Sequence, residues 1–102
     1  MTTIDAADVR KLVVACDAGM GSSVMLASTL KGQLKKTEVT VEHTPVSAIP
    51  EDADVVLCHA SLAERARKSA PGKPVIGFQV FLGDPAVTKV VNAIKDGGQI
   101  SD

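Results

Sequence analysis

The stretch that decides the fold is Lys11-Leu12-Val13-Val14-Ala15-Cys16-Asp17-Ala18-Gly19-Met20-Gly21-Ser22-Ser23. Its first five residues, Lys11–Ala15, form a short run that is continuously apolar after Lys11, the pattern of a strand buried on both faces of a parallel sheet. A loop with two glycines follows. From Ser22 to about Lys36, Leu26, Leu30 and Leu34 recur every fourth residue and mark one face of a helix. Strand, tight loop and helix in immediate succession open a βαβ unit.

The alternation continues outward from this unit. Val39–Glu42 reads as a second strand, after which Pro45 and Pro50 bracket an irregular crossing. Asp54–Cys58 is a third strand. Ser61-Leu62-Ala63-Glu64 has the spacing of a capping box, which predicts a helix from Ser61 to about Ser69, stopped by Ala70-Pro71-Gly72. Val75–Phe78 is the fourth strand. Asp84-Pro85 then supplies an N-cap and a proline at the first helical position. Val87, Val90, Val91 and Ile94 form the apolar stripe of that helix, and Gly97-Gly98 ends it. The expected fold is α/β: a single doubly wound, open sheet of four parallel strands in the order 2-1-3-4. The pattern is βαβαβαβα with about three helices, a phosphatase-like, Rossmann-type three-layer sandwich. Residues 10–98 form the domain, with 1–9 and 99–102 expected as flexible tails.

Composition narrows the function. The chain has 102 residues, room for one core and little more. Lys and Arg number 11 against 12 Asp and Glu, and Trp and Tyr are absent. A near-neutral chain without these rings lacks both the basic footprint and the stacking platforms of nucleic-acid binding. No apolar run approaches the roughly 20 residues of a membrane helix, and Met1–Asp5 does not resemble a signal peptide. A cytoplasmic location is expected. Cys16 and Cys58 do not make a disulfide framework, and neither His43 nor His59 groups with them at zinc-site spacing, so no metal site is expected.

Ligands of open α/β sheets bind beyond the carboxyl ends of the strands, where the strand order reverses. The order 2-1-3-4 puts that reversal beside the loop after the first strand. There Cys16 stands as a nucleophile ahead of Asp17, Ala18, Gly19, Met20, Gly21, Ser22 and Ser23. The glycines let successive backbone N–H groups curl inward, and the helix adds roughly half a positive charge at its N-terminus. Ser22 and Ser23 can cap the helix or donate hydroxyls to an oxyanion. Such surroundings favour a thiolate, so Cys16 is expected to outperform a free cysteine as a nucleophile. A thiol joined to an anion cradle points to a phosphocysteine, with residues 17–23 binding phosphate and no separate cofactor.

Tyrosine phosphatases place an arginine six positions after the cysteine. Here that position is Ser22, and residues 17–23 contain neither Lys nor Arg. Without a guanidinium fork the loop is poorly equipped to pass phosphate to water. A carrier that hands phosphate to a docked acceptor is the better reading. A phosphatase or arsenate-reductase-like enzyme, or a regulatory docking module, are the alternatives.

Val13 to Ser23, as quoted, resembles the phosphorylation loop of the mannitol-type enzyme IIB domain of the bacterial sugar phosphotransferase system. Asp54-Val55-Val56-Leu57-Cys58-His59 and Leu62-Ala63-Glu64-Arg65-Ala66 resemble that family's third strand and following helix. Phe81-Leu82 after the fourth strand also fits, so the resemblance spans about residues 11–95. It implies that Cys16 takes a phosphoryl group from a phosphohistidine of enzyme IIA. Cys16 would then give it to a sugar or polyol, mannitol-like, held by the membrane enzyme IIC.

Four further side chains carry expectations. His59 ends the third strand on the edge of Cys16; it is read as structural or partner-facing, with thiol polarisation as the alternative. Met20, if exposed, offers docking partners an adaptable rim, whereas Met25 is expected in the core. If Cys58 and Cys16 share one sheet edge, they approach disulfide geometry and an oxidative lock on the site. The plainer reading of Cys58 is a buried apolar thiol.

Overall fold

Apolar strands and amphipathic helices alternate as their spacing requires. β1 (Thr3–Asp5) leads through a 3-10 turn to β2 (Lys11–Cys16), α1 (Gly21–Gln33), β3 (Thr40–Pro45) and β4 (Val55–His59). Then follow α2 (Ala63–Ser69), β5 (Val75–Phe78), α3 (Pro85–Asp96) and β6 (Gln99–Ser101). The structure, a computed structural model, describes residues 3–16, 21–35, 37–79 and 84–101, with backbone alone for 21–23 and 101.

The four long strands form a parallel sheet in the order β3-β2-β4-β5, the 2-1-3-4 arrangement expected from the sequence. β2 and β4 occupy its centre, and their residues from Leu12 to Cys16 and from Val55 to Cys58 are buried. Side chains alternate between the two faces of a strand. Leu12, Val14, Leu57 and Phe78 face α1 and α3, where Leu26, Leu30, Leu34, Val87, Val90 and Val91 meet them. Val13, Ala15, Val56 and Cys58 face the other way, onto Leu62, Ala63, Ala66 and Ala70 around α2. Each large aliphatic side chain so removed from water contributes roughly 1.5–3 kcal/mol. The result is three layers.

The ends of α3 follow their residues. Asp84 accepts a hydrogen bond from the Ala86 amide at 2.8 Å, Pro85 fills the first turn, and Gly97 takes a left-handed φ of 81°. Asp84 also accepts from the Gln79 amide at 2.8 Å, so one buried carboxylate ties the chain after β5 to the start of the helix.

Four expectations need correction. The expected tails are paired: β1 and β6 form an antiparallel ribbon, Ile4 opposite Ile100, with Ile100 buried against the α1/α3 layer. The Ala6 amide fixes that ribbon by donating to the Gly98 carbonyl at 2.9 Å. Ser61 does not cap α2; it lies in a 3-10 turn, Ala60–Leu62, and α2 starts at Ala63. The second strand runs to Pro45 rather than Glu42, because β3 stays in register with β2 up to Cys16. Met25 is exposed at 61%, and Val24 at 54%. The buried face of α1 is set by Leu26, Leu30 and Leu34, and about 100° of rotation per residue carries Met25 off it.

Candidate functional site

Cys16 is the last residue of β2, the central strand at the reversal of strand order, and the chain enters α1 at Gly21. The thiol therefore stands at the carboxyl end of the sheet, just before a helix start, as the sequence pattern requires. Asp17, Ala18, Gly19 and Met20 lie outside the described residues, as do Phe81 and Leu82. Gly21, Ser22 and Ser23 form the first turn of α1.

The side chain against the thiol is one that spacing along the chain does not reveal. His43 Nε2 lies 2.8 Å from Cys16 Sγ, across 27 residues of sequence. The parallel register explains the contact. His43 pairs with Val14 and Pro45 pairs with Cys16, so the imidazole sits one diagonal step from the thiol. Val14, Cys16 and His43 point to the same face of the sheet. Val41, two residues before His43, is buried among the side chains of that face. Cys16 is almost covered, with 4% of its surface exposed.

Cys58 is placed differently, and the oxidative lock falls with that placement. In the register of β2 and β4, Cys58 pairs with Ala15, not with Cys16. A difference of one residue reverses the face, so the Cys58 side chain points into the α2 layer and away from Cys16. It is fully buried. Burial pushes the Cys58 thiol up to about 11, with the Arg67 charge pulling weakly the other way. Both cysteines are free thiols.

His59, the following residue of β4, returns to the face of Cys16. Its Nδ1 accepts from the Ser61 amide at 3.2 Å and lies 2.8 Å from the Ser61 hydroxyl. Because Nδ1 accepts from the amide, the hydroxyl must be a donor as well. The ring also meets Phe78 edge-on, with centroids 6.1 Å apart. These contacts employ His59 in closing the 3-10 turn before α2. Gly77, opposite Cys58, leaves room for that turn: a Cβ there would come within 3.2 Å of Ala60 Cα.

Among the described residues no group of three or more His, Cys, Asp or Glu side chains is placed to hold a metal ion. Among them, too, no helix is long and apolar enough to cross a membrane.

Comparison with known proteins agrees with this geometry. A family profile described as "PTS system, Lactose/Cellobiose specific IIB subunit" matches residues 11–93, from the start of β2 into α3. The mannitol-specific EIICB component of Geobacillus stearothermophilus is 40% identical over 91 residues, 87% of this chain and 19% of that protein. The corresponding component of Halalkalibacterium halodurans is 38% identical over 92 residues, 88% of this chain and 20% of that protein. The mannitol-specific EIICBA component of Vibrio cholerae is 38% identical over 93 residues, 89% of this chain and 14% of that protein. The chain thus spans about a fifth or less of the length of these curated relatives.

Proposed function

The chain belongs to the IIB subunit family of the sugar phosphotransferase system, and we propose on that premise that Cys16 is its phosphoryl carrier. The observation that carries this reading is the position of Cys16. A thiol ends the central strand at the switch point of the sheet, with a helix start following and an imidazole against its sulfur. Cys16 accepts a phosphoryl group from a phosphohistidine of enzyme IIA and donates it to a sugar or polyol bound by the membrane enzyme IIC. The relatives' names, which join IIC and IIB components and in Vibrio cholerae also IIA, support these partners. Their common specificity supports mannitol or a related polyol as the acceptor.

In-line transfer to a sulfur needs a nucleophile, donors for the phosphoryl oxygens and little else. Amides of residues 17–21 and the hydroxyls of Ser22 and Ser23 fill the donor role, aided by the N-terminal end of α1. The covalent phosphocysteine is itself the intermediate, so the chemistry calls for no metal or organic cofactor. Residues 17–23 contain no Lys or Arg to stabilise transfer to water, which favours a carrier over a phosphatase. The domain works at the cytoplasmic face, where both partners meet it. Each partner must leave after a single transfer, so the interfaces are transient and modest in area.

The test is an intact mass after incubation with phosphoenolpyruvate, the general phosphotransferase proteins and each of several enzymes IIA. A single phosphoryl adduct that disappears in Cys16→Ser supports the carrier. Release of phosphate from an aryl phosphate with no partner present would instead indicate a phosphatase.

A further inference from the structure

Phosphoryl transfer to a thiol requires that the thiol lose its proton, and a base held against the sulfur speeds that loss. Of the polar side chains that the strand register brings to the face of Cys16, His59 is engaged with Ser61 and Phe78. Cys58 is on the opposite face. Among the described side chains His43 makes the hydrogen-bond contact with the reacting atom, its Nε2 2.8 Å from Sγ. Imidazole is also the side chain whose ordinary titration range brackets neutrality, which suits it to accept a proton and release it again within one cycle.

We propose that His43 is a catalytic residue of phosphoryl loading, the base that receives the Cys16 proton. The proposal rests on the reading of Cys16 as phosphoryl carrier. In the loading step the S–H bond breaks, its proton passes to Nε2, and the electron pair stays on sulfur. Sulfur forms the S–P bond while the P–N bond of the donor phosphohistidine breaks, and that electron pair returns to the leaving imidazole nitrogen. His43 is left as an imidazolium beside a newly placed phosphoryl dianion, an arrangement that favours the loaded state by charge attraction. The edge strand β3 thus contributes to the site as well as flanking the sheet.

The experiment compares wild type with His43→Gln and His43→Ala. Initial rates of phosphoryl loading from phosphorylated enzyme IIA are followed by intact mass, and rates of Cys16 alkylation by iodoacetamide are followed without any partner. Glutamine can still donate a hydrogen bond and fill much of the space, but it cannot take the proton. Loading of His43→Gln is expected to fall about a hundredfold, the lower end of what a positioned general base contributes. Alkylation should slow in parallel, and added imidazole should restore part of the rate in His43→Ala. Loading and alkylation of His43→Gln at wild-type rates would overturn the proposal and leave the carrier reading intact. If no enzyme IIA loads the wild-type chain, the carrier reading falls first and the loading role of His43 falls with it.

Discussion

Cys16 and Cys58 stand on adjacent central strands, one residue apart in register, yet the sheet gives them opposite surroundings. Cys16 has an imidazole on its sulfur and the carboxyl edge of the sheet beyond it. Cys58 has aliphatic walls: Val13, Ala15, Val56 and the small side chains of α2. The same functional group meets an imidazole in one place and aliphatic side chains in the other. What separates them is strand parity, because a shift of one residue sends a side chain through the plane of the sheet. The pair teaches that the surroundings of a thiol in this fold are assigned by register.

The comparison can be broken most severely at Cys16. Cys16→Ser should abolish the phosphoryl adduct altogether, whereas Cys58→Ser should retain it at the wild-type rate. Intact mass after loading distinguishes the two variants. Equal loss in both would mean that register does not divide their roles.

A second test uses alkaline stability. The folded protein holds Cys58 protonated to about pH 11, while the unfolded thiol ionises near 9.0. Below pH 9.0 this contribution is fully present; it declines as the pH rises and is lost through about 11. A shift of that size corresponds to roughly 2–3 kcal/mol. Urea unfolding between pH 8 and 11 should therefore show a steeper loss of stability in wild type than in Cys58→Ala. Parallel curves would contradict the burial argument.

Smaller effects sharpen the same picture. Cys58→Ser places a hydroxyl among aliphatic side chains and should destabilise the fold by about 1–3 kcal/mol, read as a lower urea midpoint. Gly77→Ala, on the same face, should push against Ala60 Cα and destabilise by about 1 kcal/mol, with loading unchanged. A Gly77→Ala variant as stable as wild type would show that the 3-10 turn yields freely.

Much of the architecture was legible from local pattern. The leucine stripe of α1, the cap of α3 and the continuous apolar strands depend on neighbours within a few positions, so periodicity and end signals reach them. The position of Cys16 was legible for the same reason, since strand, loop and helix are contiguous. His43 was not, because its meeting with Cys16 crosses 27 residues and exists only through the pairing of β2 with β3. The plainer reading of Cys58 as a buried apolar thiol holds, while its alternative, closeness to Cys16, fails for the converse reason. The two strand ends were each placed one residue short, at Ala15 and Cys58 rather than Cys16 and His59, and the face of each cysteine depends on a register finer than that. β1 and β6 escaped notice because each has only three residues, and their pairing joins opposite ends of the domain. The helical rotation that exposes Met25 lies between these cases: the stripe of leucines implies it once the stripe, rather than the residue type, is allowed to decide.

The most direct measurement is site mapping of the loaded protein. After phosphorylation through enzyme IIA, rapid proteolysis and fragmentation mass spectrometry would locate the phosphoryl group. The predicted result is a phosphocysteine at Cys16, with Cys58, His43 and His59 unmodified. A phosphoryl group on His43 or Cys58, with Cys16 free, would contradict the account.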